Sequence, residues 1–267
     1  MLIAQMSDMH VKAPGELLYE RIDTASYLER AVAHINGLEP RPDIVVATGD
    51  LVEGGRPEEY GHLRRLLAPL AMPVFVIPGN HDRRDALRAA FADHAYLPRN
   101  GYLQYVVDDH PVRLIALDSL VEGKGHGALC HRRLDWLESR LGETERPTVL
   151  LVHHPPFDCG IEPFDRARLN EGDRRLADIV GRHRHIERVM CGHVHRPIQA
   201  RWAGTMASIA PSTAHQGTLD LRDGAPLSLM FEPPGIALHV WRPDAGLVTH
   251  VSYIGTFPGP QPFRVMQ

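Results

Sequence analysis

The nine residues Val74-Phe75-Val76-Ile77-Pro78-Gly79-Asn80-His81-Asp82 carry the strongest architectural signal in this 267-residue chain. Four apolar residues predict a buried strand, and the Pro-Gly pair after them ends it. Asn80 and His81 follow at the strand end, where two polar side chains have little value for packing. We therefore interpret both residues as functional, and the apolar run as one strand of a larger sheet.

The same arrangement, an apolar run followed at once by polar side chains, recurs at four other places. The four motifs are Asp8-Met9-His10, Gly49-Asp50, His153-His154 and Gly192-His193-Val194-His195. A lone Asp-x-His is usually accidental, and a lone Gly-Asp is usually a turn. Sites in open α/β sheets form beyond the carboxyl ends of the strands, so five such motifs together indicate one site.

Strand and helix patterns alternate through the first 190 residues. Strands are predicted at 2–6, 44–47, 74–77, 112–117, 148–152 and 188–190. A helix is predicted near 171–181, and three others from apolar residues at helical spacing. These residues are Leu28, Ala31, Val32 and Ile35, then Leu63, Leu66, Leu67 and Leu70 behind Pro57, then Leu134, Leu137 and Leu141. The alternation predicts an α/β fold, with a mostly parallel sheet and helices outside it.

The pattern changes after His195. Short strands are predicted at 198–202, 205–209, 236–241 and 248–254, with Gly and Pro between them. We interpret them as an antiparallel extension of a second sheet. The chain is thus predicted to be a single domain over 1–267, with a core at about 1–215 and a C-terminal β extension at about 216–267.

Composition and charge exclude several functions. Hydrophobic residues make up 43% of the chain and charged residues 23%, and the formal net charge is −4. An acidic chain has no global basic field to hold a nucleic-acid polymer. No stretch approaches the roughly 18 apolar residues of a membrane span, and no basic leader precedes the first strand. We expect no signal peptide, no membrane contact and a cytoplasmic location.

Cysteine and histidine usage separates candidate ligands from chance pairs. Cys130, Cys159 and Cys191 are too widely spaced for a disulfide framework or a CxxC metal site. The chain has 17 histidines, so a His-x-His pair arises easily by chance. His183-Arg184-His185 follows a helical pattern and no strand, and we interpret it as a solvated helix end.

The strand-end residues form a ligand set for two divalent metal ions. Asp8 and His10 are two apart, so an extended backbone would turn both to one side, and His193 and His195 repeat this spacing. The remaining candidates come from the other three motifs. Asp50 has two oxygens and can bridge two cations, Asn80 adds a neutral oxygen ligand, and one of His153 and His154 is expected to bind metal. His81 is adjacent to Asn80 and should point away from the metal, toward substrate.

In these residues the chain resembles the calcineurin-like metallophosphoesterases. It looks most like bacterial glycerophosphodiesterases and class III cyclic-nucleotide phosphodiesterases, over residues 1 to about 215. The closer similarity includes 54–60, 77–82, 153–156 and 191–195. The resemblance implies a four-layer αββα sandwich and two metal ions, each of them Fe, Mn, Zn or Co. It implies that Asp8, His10, Asp50 and His195 hold one ion, and that Asp50, Asn80, His153 and His193 hold the other.

The resemblance also implies a metal-dependent phosphodiesterase acting on small diesters, by attack of a metal-activated hydroxide on phosphorus. Asp50 and His81 would be catalytic, with His81 stabilising the transition state or protonating the leaving oxygen. Asn80, His81, His195 and His215 would contact substrate, although His215 could instead be a surface-loop histidine. Tyr19 and Arg56 are further candidates for substrate contact or for bracing the ligands.

Two departures and three alternatives complete the prediction. Protein phosphatases of this superfamily carry Gly-Asp-x-Val-Asp-Arg-Gly, which differs from residues 49–55 and argues against that activity. Residues 123–127 lack a serine that supports one metal in glycerophosphodiesterases. A phosphomonoesterase or nucleotide pyrophosphate hydrolase is the alternative in chemistry, and a DNA nuclease or a metal-free binding scaffold is less favoured.

A homo-oligomer is expected through the apolar tail, which includes Met230-Phe231, Phe257 and Phe263.

Overall fold

The computed structural model describes residues 1–262. The strands are β1 Leu2–Met6, β2 Ile44–Ala47, β3 Val74–Val76, β4 Tyr105–Val107, β5 Arg113–Ala116, β6 Gly127–Ala128, β7 Thr148–Leu151, β8 Leu169–Glu171, β9 Ile186–Cys191, β10 Ile198–Trp202, β11 Thr205–Ile209, β12 Gln216–Gly217, β13 Leu229–Met230, β14 Gly235–Arg242 and β15 Gly246–Tyr253. The helices are α1 Thr24–Asn36, α2 Pro57–Leu67, α3 Arg84–Ala90, α4 His131–Leu141, α5 Glu162–Arg166 and α6 Asp173–Arg182.

Two large sheets form the centre of the molecule. The first has the order β15-β14-β1-β2-β3, and the second has the order β10-β11-β9-β7-β5-β4. Strands β1, β2 and β3 are parallel, as are β5, β7, β9 and β11. The carboxyl ends of the parallel strands within each sheet therefore lie at a common edge, as the sequence predicted.

Side-chain alternation in the second sheet shows how the layers pack. Leu114 and Leu151 belong to a core cluster with the first sheet, α1 and α2. Ile115 and Leu150 belong to a second cluster with α4 and α6. Because successive strand residues face opposite sides, one face of this sheet covers the first sheet and the other covers helices. The predicted four-layer αββα sandwich is confirmed.

The C-terminal strands correct the sequence prediction. The hairpin of β14 and β15 extends the first sheet, with β14 antiparallel to β1, and does not join the second. Strand β11 does lie in the second sheet, but it is parallel to β9. Period-two alternation predicts a half-buried strand without saying which sheet it joins, so the sequence could not separate these arrangements.

Smaller differences concern element ends. Helix α2 begins at Pro57 as predicted but ends at Leu67, so Leu70 lies beyond it and packs on the core from the following loop. Short elements such as α3 and α5 were not predicted. Met230, Phe231 and Phe257 are exposed, whereas Phe263 lies outside the described residues. Within residues 1–262, no helix combines the length and the apolar character that a bilayer crossing needs.

Candidate metal centre

Five strand ends bring the predicted ligands together. Asp8, Asp50, Asn80, His153 and His193 follow β1, β2, β3, β7 and β9 within four residues, and His195 lies two beyond His193. The two sheets contribute from opposite sides, because the first three strands belong to one sheet and the last two to the other. The site therefore lies at the junction of the two sheets, and neither sheet alone supplies all the candidate ligands.

One group of ligand atoms belongs to Asp8, His10, Asp50 and His195, which are all buried. These atoms lie within 4.8 Å of one another. The two Nε2 atoms of His10 and His195 are 3.1 Å apart, and Nε2 of His195 is 3.5 Å from Oδ1 of Asp8. Ligands at about 2.0–2.2 Å from one ion are separated by such distances, so this group fits a single cation.

The second group shares Asp50 with the first. Nε2 of His153 lies 3.3 Å from Oδ2 of Asp50 and 3.1 Å from Oδ1 of Asn80. Nδ1 of His193 lies 2.9 Å from the same Asn80 oxygen. Oδ2 of Asp50 is also 3.7 Å from Nε2 of His10, so one carboxylate borders both groups and is placed to bridge two ions.

Hydrogen bonds fix which imidazole nitrogens are free to bind metal. Nδ1 of His10 faces the Glu53 carboxylate at 2.7 Å, and Nδ1 of His153 faces the carbonyl of Thr48 at 2.7 Å. Nδ1 of His195 faces the carbonyl of His215 at 3.1 Å. These oxygens only accept, so each neutral ring carries its proton on Nδ1 and a lone pair on Nε2. With the rings neutral, three Nε2 lone pairs face carboxylate and amide oxygens, an arrangement that a cation would satisfy.

The backbone at the ligands differs from the predicted extended form. Asp8, His10, Asp50, His193 and His195 have φ of 53°, 45°, 47°, 76° and 57°. Left-handed backbone is costly for residues with a Cβ and is concentrated at functional sites. Tertiary hydrogen bonds maintain it here, including that from the amide of His193 to the Asp8 carboxylate at 2.9 Å. The spacing of two residues does place each pair in the site, but through this strained backbone.

Two glycines, Gly49 and Gly79, leave space for the side chains of candidate ligands. A Cβ on Gly49 would collide with the ring of His153, and one on Gly79 would collide with the carboxylate of Asp50. Each glycine directly precedes a candidate ligand, Asp50 or Asn80. Any larger side chain at either position would displace a metal ligand.

His153 and His154 have different partners, although both lie with His193 in a group that could hold a metal ion. His153 faces Asp50 and Asn80, whereas Nδ1 of His154 lies 2.8 Å from Oγ of Ser119. Nε2 of His154 is buried without a hydrogen-bond partner among residues 1–262. Gly127 leaves space for the His154 ring, so the 123–127 loop packs against His154, and the serine beside that ring is Ser119.

His81 lies beside both ligand groups and is a third exposed. Its amide donates to Oδ1 of Asp50 at 2.8 Å, and its Nδ1 lies 3.0 Å from the carbonyl of Glu53 and 3.2 Å from the Glu53 carboxylate. Burial acts to lower the pKa of His81, but Asp50 and Glu53 outweigh it and raise the pKa to about 10. The two carboxylates thus favour the protonated ring, which can donate a proton or a hydrogen bond.

Glu53 is a functional candidate that the sequence interpretation missed. Its carboxylate contacts both His10 and His81, and although burial opposes the shift, these two rings lower its pKa to about 2. The signal that could have found it is a carboxylate three residues after Asp50. We used that residue only to argue against a protein phosphatase.

The remaining candidates divide between the site and its surroundings. His215 is buried, with its ring 4.7 Å from that of His195, so it is not a surface-loop histidine. Tyr19 contacts His215 edge-on at 6.3 Å. Arg56 pairs with Glu16 and Glu59 at the start of α2 and braces that loop, outside both ligand groups.

A cavity of about 430 Å³ opens beside the ligands. It is lined by Tyr19, Arg21, Phe164, His195, His215, Gln216, Gly217, Leu227, Ser228 and Leu229. Away from it, His183-Arg184-His185 lies at the end of α6, and neither histidine belongs to a described metal group. Cys130, Cys159 and Cys191 are free. The arrangement combines groups that could hold metal ions, an imidazole that can donate a hydrogen bond and space for a small molecule.

Comparisons with known proteins agree with this geometry. Residues 1–197 match the family model described as calcineurin-like phosphoesterase. The chain is 41% identical over 264 residues to the probable glycerophosphodiester phosphodiesterase GpdQ of Arcobacter nitrofigilis, covering 98% of this chain and 97% of that protein. It is 31% identical to the 3′,5′-cyclic adenosine monophosphate phosphodiesterase CpdA of Escherichia coli K12, covering 80% and 76%. A dimetal phosphatase from Danio rerio shares the fold, with a TM-score of 0.63 at 13% identity, covering 96% and 99%.

Proposed function

Because the chain belongs to the calcineurin-like phosphoesterase family, we propose that it is a dinuclear-metal phosphodiesterase acting on small phosphodiesters. Relatives named for glycerophosphodiesters and for cyclic nucleotides support these two substrate classes. The observation that supports the proposal is that Nε2 of His10 and of His153 both face Oδ2 of Asp50, while Nε2 of His195 faces Asp8. We propose Fe, Mn, Zn or Co, since mixed nitrogen and oxygen ligands accept all four.

Each ligand has a proposed place. Asp8, His10, Asp50 and His195 hold one ion, and Asp50, Asn80, His153 and His193 hold the other. Two such ions supply a water of lowered pKa as nucleophile and stabilise charge on the phosphoryl oxygens. The Nδ1 contacts fix the tautomer of each neutral imidazole, so that Nε2 is the nitrogen offered to an ion.

The protein's own groups complete the reaction as we propose it. The His81 imidazolium donates a hydrogen bond or a proton to the leaving oxygen, an effect typically worth 10²–10⁴-fold. Its position is fixed by the amide bond to Asp50 and by Glu53, and a third of its side chain remains open to substrate. His195 and His215 line the cavity, and we propose that both of them and Asn80 contact the diester.

Turnover of Mn²⁺-reconstituted protein on a matched panel tests the proposal. The panel contains glycerophosphoethanolamine, 3′,5′-cyclic AMP, bis(p-nitrophenyl) phosphate and p-nitrophenyl phosphate. We expect a diester to exceed the monoester in kcat/KM by at least tenfold, about 1.4 kcal/mol of transition-state preference. A faster monoester would make the protein a phosphomonoesterase and contradict the proposal.

Assembly and location are separate proposals. Exposed Leu219, Leu221, Phe231 and Phe257 in the C-terminal region support a homo-oligomer, and a monomeric mass by light scattering would reject it. Three free cysteines suit a reducing compartment, which supports the cytoplasm. Fractionation of cells expressing the native chain tests the location.

A further inference from the structure

A strained turn presents Tyr19 and Arg21 to the cavity beside the ligands. The amide of Arg21 donates to the carbonyl of Leu18 at 3.2 Å, and Leu18 and Ile22 exchange two backbone hydrogen bonds of 2.9 Å. Tyr19 and Glu20 between them have φ of 50° and 58°. Residues with a Cβ rarely adopt this backbone, so the chain maintains an unfavourable conformation that holds both side chains at the cavity wall.

Arg21 is an unneutralised cation in this wall. Among residues 1–262, its guanidinium has no hydrogen-bond or ion-pair partner, and its described contact is with the Phe231 ring at 5.9 Å. Arg196, next to the ligand His195, is by contrast paired with the Glu232 carboxylate. An arginine held by a ring face keeps its donors free for an anion.

We propose that Arg21 recognises a second anionic group, a carboxylate or phosphate, on one arm of the diester substrate. The cavity joins Arg21 to His195 and His215, so a molecule whose scissile phosphate lies at the ligands extends an arm toward the guanidinium. Arms that end in a cation, as in ethanolamine or choline diesters, are disfavoured by the same charge. This inference rests on the proposed function and specifies its substrate class.

Two symmetric probes test the inference regardless of which arm enters the cavity. They are bis(3-carboxyphenyl) phosphate and its neutral isostere bis(3-carbamoylphenyl) phosphate, assayed with the Mn²⁺-loaded enzyme. We expect the carboxylate probe to exceed the amide probe by about tenfold in kcat/KM, mainly through KM. Arg21→Met should abolish this preference, and Arg21→Lys should retain part of it.

Controls separate Arg21 from general effects. Arg201→Met removes an exposed arginine on β10 and should leave the preference unchanged. Turnover of bis(p-nitrophenyl) phosphate by Arg201→Met should also stay within about twofold of the wild type. Equal kcat/KM for both probes in the wild type, or a preference that survives Arg21→Met, overturns the inference. If bis(p-nitrophenyl) phosphate itself is not hydrolysed, the proposed function fails, and calorimetric binding of the two probes to wild type and Arg21→Met decides the inference alone.

Discussion

Glu53→Gln tests whether a buried carboxylate controls the metal ligand His10. The carboxylate faces Nδ1 of His10 at 2.7 Å and fixes the proton there, leaving Nε2 free to bind the ion. Glutamine has nearly the same shape but replaces a charged acceptor with a neutral one. Hydrogen bonds to charged groups contribute about 1.5–3 kcal/mol and neutral ones about 0.5–1.5, so the change costs about 1–1.5 kcal/mol.

That difference corresponds to about tenfold weaker binding of the ion that we assign to His10. Replacing a group that hydrogen-bonds to a metal-ligating histidine typically weakens metal affinity by about 10–100-fold, so this is the lower end of that range. The same change removes a carboxylate 3.2 Å from Nδ1 of His81, so the pKa of His81 should fall. Competition with a calibrated chelator measures the affinity of each ion, and NMR of the His81 ring follows its pKa.

Glu58→Gln is the matched control, because Glu58 is an exposed carboxylate of α2 that pairs with Arg56. It should leave both metal affinities unchanged. Equal chelator competition curves for Glu53→Gln and the wild type would refute the tautomer argument, even if activity fell. If Glu53→Gln lost the ion assigned to His153 and Asn80 but kept the ion assigned to His10, the argument that Glu53 acts through His10 would be contradicted.

Three further outcomes are expected. Asp50→Ala should leave less than one metal per chain by elemental analysis and almost no turnover, and substantial activity would contradict a bridging carboxylate. His81→Ala should lower kcat by about 10²–10⁴-fold with metal content intact, and loss of metal would show that His81 is a ligand. His239 is fully buried between Gln5 and Thr249, and burial lowers its pKa to about 3. Its neutral form therefore contributes stability that is present above pH 6.5 and is lost as the pH falls toward 3. Between pH 7.5 and 5.5 the free energy of unfolding, measured in urea, should fall by about 1.3 kcal/mol because of this group. The variant His239→Gln should lack this part of the pH dependence.

Prediction from sequence succeeded where the signal was local. Strands β1 and β2 are short apolar runs that each precede a motif, and they have the predicted bounds, as do β10 and β11. Asn80 and His153 could be placed at strand ends because Pro-Gly or a polar residue follows each run. Because the carboxyl ends of parallel strands lie at one edge of a sheet, the sequence alone predicted that these side chains lie close together.

It failed where the decisive contact is between distant parts of the chain. The left-handed backbone of Asp8 and His10 depends on hydrogen bonds from their amides to the carbonyls of Gly49 and Asp50, which no local pattern encodes. The C-terminal hairpin joins the first sheet through the pairing of β14 with β1, more than 230 residues away. The contact of His239 with Gln5 crosses that same pairing.

The chemistry of the ligands is also set by partners that the sequence hides. Two of the three acceptors that fix the imidazole protons are backbone carbonyls, those of Thr48 and His215, and any residue type could supply them. Glu53 is the exception, since a carboxylate is visible in the sequence and its replacement is testable. The sequence therefore narrows the candidate histidines to those at strand ends, whereas the packing of the two sheets decides which nitrogen each one offers. A substitution that shifts the Thr48 carbonyl without changing any ligand should consequently weaken metal binding, because it releases the tautomer of His153.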